Sequence, residues 1–148
     1  MNAHFLFRAL LLFLSLPATV QAAATATAGL EFEQAWIRSA PAASPVMAGY
    51  VRIVNPGTRT VRIVAMRSPQ FARVEAHTMR EVDGVMRMRP LVLELSPGET
   101  LELAPGGHHL MLMQPAATLA EGTRATLEFT LDDGRRRAVE FEVRAATP

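Results

Sequence analysis

Beyond residue 30 the chain alternates apolar and polar residues in short runs, and Pro, Gly, Asn or Asp interrupts each run before a helical period can establish itself. No i, i+3, i+4, i+7 pattern persists beyond one or two turns, so strands must supply the core. The clearest pair is C-terminal: Ala125, Leu127, Phe129 and Leu131 alternate with polar residues, Asp133-Gly134 turns the chain, and Val139, Phe141 and Val143 alternate again. Upstream, the same pattern predicts strands over 31–38, 47–55, 60–66, 73–79, 85–88, 91–95, 100–103 and 109–114. The turn signals between them are Asn55-Pro56-Gly57, Asp83-Gly84, Ser96-Pro97-Gly98 and Pro105-Gly106-Gly107. About eight to ten strands at this spacing predict an all-β sandwich or barrel of antiparallel sheets. The stretch Ala40-Pro41-Ala42-Ala43-Ser44-Pro45 cannot occupy a central strand, because two prolines remove donors, and reads as a connecting loop.

Residues 1–22 read as a secretory signal peptide: Arg8, an apolar run over 9–16, Pro17 and a small-residue end at Val20-Gln21-Ala22. That run is shorter than the ~20 residues a bilayer span needs, so no membrane span is expected after cleavage. Residues 23–29 are expected to form a disordered leader, and 30–148 a single domain in the periplasm. The chain has no cysteine, which excludes disulfides, thiolate zinc or iron–sulfur sites, a cysteine nucleophile and a blue-copper centre. It also leaves no cysteine for lipid attachment. Basic and acidic residues number 15 and 14, too even a balance for an electrostatic nucleic-acid binder. All the basic residues are Arg, which we read as coding bias.

What chemistry remains must use His, Met, carboxylates or hydroxyls, and the first two are concentrated. All three histidines beyond residue 22, and Met79, Met86, Met88, Met111 and Met113, lie between His77 and Met113. His77-Thr78-Met79 and His109-Leu110-Met111 each set an imidazole two residues from a thioether, and on a strand such residues share a face about 7 Å apart. Gly84-Val85-Met86-Arg87-Met88-Arg89 alternates likewise, with thioethers on one side and guanidinium groups on the other. A methionine taken singly is usually core filling, and Met47 and Met66, outside the cluster, are read that way. The repeated His-x-Met spacing argues for more. Imidazole with neutral, soft thioether suits Cu(I) and suits Zn(II), Mg(II) or Mn(II) poorly.

With these residues in view the chain resembles the periplasmic PCu(A)C-type copper chaperones. The resemblance rests on a His, ten residues and a Met, then a His-x-Met, places filled here by His77, Met88, His109 and Met111. The stretches Gly84 to Pro90 and Pro105 to Met113 match the family's wording. Twenty residues separate Met88 from His109, one fewer than in the family pattern, and the turn at Ser96-Pro97-Gly98 can absorb the difference. The C-terminus lacks the His/Met-rich extension of some relatives, so a second copper ion, notably Cu(II), is not expected. The resemblance implies a cupredoxin-like antiparallel Greek-key β-sandwich holding one Cu(I) through His77, Met88, His109 and Met111. Met79, Met86, Met113 and His108 are second choices. It also implies a monomer that is not an enzyme, delivering copper to the CuA centre of cytochrome c oxidase, to subunit II directly or through a thiol-containing assembly factor.

Other classes compete. A periplasmic copper-buffering or resistance protein would use the same ligands. A copper oxidase or monooxygenase would want an open coordination position and usually a second metal or an N-terminal His. Glu75, Glu81 and Asp83 show no pairing in sequence that would support hydrolysis. A non-metal binding module would want aromatic platforms, whereas Trp36 and Tyr50 are the only large amphipathic aromatics and read as core or rim. Arg87 and Arg89 read as a solvated strand face.

Overall fold

The computed structural model describes residues 29–145; the expected signal peptide and residues 23–28 of the expected leader lie outside the described residues. Gly29 is buried where the chain approaches its first strand. Ten strands follow: β1 (Glu31–Arg38), β2 (Val46–Val54), β3 (Val61–Arg67), β4 (Phe71–Val82), β5 (Val85–Pro90), β6 (Glu94–Leu95), β7 (Thr100–Leu103), β8 (His109–Pro115), β9 (Arg124–Leu131) and β10 (Arg136–Arg144). The all-β expectation holds, and the fold is a cupredoxin-like β-sandwich.

The strands run in the order β5-β4-β8-β2-β1-β10-β9-β3-β6, with β7 on β2, as an open path rather than a closed barrel. One half is β5, β4, β8 and β2, the other β10, β9, β3 and β6, with β1 joining them. The expectation of a purely antiparallel sandwich needs one correction: β1 and β10 pair in parallel, Trp36 opposite Glu142 and Ile37 opposite Val143. These are the first and last strands, so the whole domain serves as the crossover that a parallel pair requires.

Turn chemistry sets the registers. Asp83 and Gly84 both have positive φ, 52° and 75°, as a two-residue type I′ hairpin turn demands, and they bring Val82 opposite Val85. Each later pair in that hairpin follows, including Met79 opposite Met88 and His77 opposite Pro90. The hairpin makes β4 longer than the 73–79 expected. The expected strand over 91–95 is shorter, because this segment crosses between the two halves. Leu91 N–H donates to Ala76 C=O in β4, Leu93 C=O accepts from Ile63 in β3, and only Glu94–Leu95 pair as strand.

Alternate residues from both halves meet in one core, with Ile37, Ile53, Leu95, Leu110, Leu112, Leu127, Phe129 and Phe141 all fully buried. Among the described residues the one buried polar side chain is Asn55. Its Nδ2 donates to the carbonyls of Arg59 (2.8 Å), Leu95 (2.9 Å) and Ser96 (3.1 Å), and its Oδ1 accepts from Gly57 N–H (3.1 Å). One amide thus ties two Pro-Gly turns together. Asn55→Leu should strip the partner from the buried Leu95 carbonyl and release both turns, lowering stability by about 2–3 kcal/mol, read from the urea midpoint at unchanged m.

The period of two fixes what faces outward. On β8, Leu110 and Leu112 are fully buried, so His109 and Met111 point away from the core. On β4, buried Val74 and Ala76 leave Glu75 and His77 on that same outer face.

Candidate metal centre

β8 lies between β4 and β2. His77 pairs directly with His109, Glu75 with Met111 and Arg73 with Met113; on the other side Met111 pairs with Ala48 and Met113 with Val46. The two distant His-x-Met segments therefore meet across adjacent strands, one strand spacing of ~4.8 Å apart. The His77 and His109 rings stand edge to face with centroids 6.1 Å apart. The hairpin then folds Met88 back, and its Sδ sits 3.0 Å from His77 Nδ1. Met88, His109 and Met111 line a depression of about 310 Å³ whose other walls are Arg38, Ser39, Ala40, Val46, Met47 and Ala48. Ala48 opposite Met111 supplies a small side chain where a larger one would fill the space. The loop that begins at Ala40 thus borders the cluster.

Hydrogen bonds assign the free nitrogens. His77 Nε2 lies 3.0 Å from the Glu75 carboxylate, itself 3.1 Å from Arg73 Nε. Either ring nitrogen of neutral His77 could carry the proton, but a charge-assisted bond to carboxylate is the stronger, so Nε2 donates and Nδ1 keeps its lone pair. That bare nitrogen faces the lone pairs of Met88 sulfur. In the other tautomer the same 3.0 Å contact is an Nδ1–H···Sδ hydrogen bond; with Nδ1 bare, the two donors lie near enough to share one cation. At His109, Nδ1 donates to Gly107 C=O at 3.2 Å, which leaves Nε2 free. Oriented imidazoles of this kind are what metal ligation requires.

The remaining candidates divide. Met79 faces Met88, and Met86 lies on the same face of the hairpin. Met113 is buried and its Sδ accepts from Arg73 Nη2 at 3.3 Å, which occupies it elsewhere. His108 precedes β8, and its Nδ1 is buried without a hydrogen-bond partner. Arg87 and Arg89 are exposed on the hairpin's opposite face, as the alternation implied. Trp36 and Tyr50 stack as a cross-strand pair at 4.7 Å between centroids, with the Arg38 guanidinium 5.6 Å above the Tyr50 ring. Sequence reasoning missed the orienting role of Glu75, although its position two residues before His77 on a strand was the available signal. Among the described residues no helix is long and apolar enough to cross a membrane.

Glu75 thus holds the His77 ring by its Nε2 edge. Glu75→Ala should weaken metal capture about tenfold, and Glu75→Gln, whose amide oxygen still accepts from Nε2–H, should recover most of the loss in a chelator competition.

Solved structures of PCuAC domains share this β-sandwich fold. The apo PCuAC domain from PmoF1 superposes with TM-score 0.67 at 20% identity, covering 79% of this chain and 94% of that one. The copper-bound PCuAC domain from PmoF2 gives 0.65 at 20% identity, covering 79% and 93%. The Cu(I) form of DR1885 from Deinococcus radiodurans gives 0.62 at 22% identity, covering 86% of each. The LpqE-like family, described as "Putative lipoprotein LpqE-like", matches residues 30–143, and the chain belongs to it. A relative from Leifsonia xyli subsp. xyli, "Putative lipoprotein Lxx21020", is 28% identical over 131 residues, covering 87% of this chain and 78% of that protein.

Proposed function

We propose that the protein is a Cu(I)-binding metallochaperone of the cell envelope, holding one ion through His77 Nδ1, Met88 Sδ, His109 Nε2 and Met111 Sδ and delivering it for assembly of the CuA centre of cytochrome c oxidase. The observation that carries this reading is the β4–β8 register: it sets His77 against His109 while the hairpin brings Met88 sulfur onto His77. Copper in solved structures of two PCuAC proteins supports the cargo, and the lipoprotein names of the family and of a relative support an envelope location. We infer export through a cleavable signal peptide over residues 1–22.

The donor set fits the cargo. Two imidazole nitrogens and two thioethers are neutral and need no deprotonation, and the thioethers select the monovalent ion. Such ligands can leave one at a time while thiolates of a recipient replace them, so the ion moves toward softer donors without any change of oxidation state. The centre lies on the outer face of the sheet, where a recipient can reach it.

The test is transfer. Cu(I)-loaded protein mixed anaerobically with a reduced, copper-free dicopper domain of an oxidase subunit II, or with a dithiol assembly factor, should lose its copper to that partner. Retention of the ion in the presence of excess partner would overturn delivery and leave buffering as the role of the same centre.

A further inference from the structure

The β4–β5 hairpin carries three thioethers on one face. Met79 lies directly opposite Met88, and Met86, two residues before Met88 on its strand, lies opposite Glu81. Core filling does not explain the outer two, since Met86 is 53% exposed and Met88 46%. Opposed residues on paired strands have Cβ atoms about 5 Å apart, and neighbours two apart on one strand about 7 Å. With three rotatable bonds per methionine, three sulfurs at these positions can converge on one ion above the sheet.

Charge is sorted in the same direction. Arg80, Arg87 and Arg89 belong to the opposite face of the hairpin, Arg80 directly opposite Arg87, while Glu81 lies on the thioether face and forms no ion pair among the described residues. A cation approaching the thioether face therefore meets a carboxylate and soft sulfur.

We propose that Met79, Met86 and Met88 form a second, weaker Cu(I) site that passes the ion to and from the His77/His109 centre, with Met88 common to both. This deepens the Cu(I) reading and rests on it. The step is ligand exchange alone: Cu–S bonds to Met79 and Met86 form as bonds to His77, His109 and Met111 break, Met88 stays bound, and copper remains monovalent throughout. Because Met86 stands farther toward the hairpin tip than Met88, the second site extends the path to the outermost part of the sheet.

The experiment uses protein labelled at the methionine methyl carbons, titrated anaerobically with Cu(I). At one equivalent the Met88 and Met111 methyl signals should shift fully and those of Met79 and Met86 in part, because the one ion samples both sites through Met88. A Met79→Leu/Met86→Leu variant keeps volume and polarity close, so it should hold the first ion with unchanged affinity yet release it to a chelator about tenfold more slowly. If the first ion binds but the Met79 and Met86 signals stay fixed, or the variant releases copper at the parent rate, the second site does not exist. If no equivalent binds, the reading of the main centre itself fails.

Discussion

The Met88→Ala/His109→Ala variant is expected to lose at least ~100-fold in Cu(I) affinity while its far-UV dichroism and urea midpoint stay near those of the parent. Both side chains lie on the outer face, away from the core that Leu110 and Leu112 fill from the same strand, so truncating them removes donors without opening a cavity. Met88 is 46% exposed, and the apolar contact it loses is correspondingly small. Removing one sulfur and one nitrogen leaves this centre with two of its four donors, an imidazole and a thioether on neighbouring strands. A chelator competition that the variant performs like the parent would place the copper elsewhere.

Leu110→Ala should do the reverse. Leu110 is fully buried between His109 and Met111, and its truncation should cost about 2–5 kcal/mol in stability through lost burial and the cavity left behind. The β-carbon it retains still points inward, so the neighbouring donors keep their outward direction and Cu(I) affinity of the folded protein should change only slightly. Added Cu(I) should also restore part of the lost thermal stability, because the ion binds the native state alone. A variant that folds as stably as the parent would contradict the assignment of faces on β8.

This separation of scaffold from site was legible in the sequence because a strand's period of two is strict. The run His109-Leu110-Met111-Leu112-Met113 states which residues face in and which face out. Asp83-Gly84 likewise announced a tight hairpin, and its type I′ geometry fixes Met79 opposite Met88. The pairing of β4 with β8 was not legible from the alternation. It joins residues more than thirty apart, and a slip of two residues would preserve every inward and outward assignment while separating His77 from His109. Nothing local marked β1 and β10 as parallel neighbours, since that contact depends on the completed sandwich. Leu91 to Leu95 looked like a strand because Leu91, Leu93 and Leu95 alternate, yet the chain there spends its hydrogen bonds on β4 and β3 in turn as it crosses the core. The role of Glu75 depends on which imidazole nitrogen it meets, information that spacing alone does not hold.

X-ray absorption at the copper edge of the anaerobic Cu(I) protein, loaded with one equivalent, tests the central claim most directly because it counts neighbours without reference to any family. Two nitrogen and two sulfur neighbours are predicted, falling to one nitrogen and two sulfurs in His77→Ala. A shell of nitrogen and oxygen alone, or an unchanged shell in that variant, would contradict a centre built where β4, β5 and β8 meet.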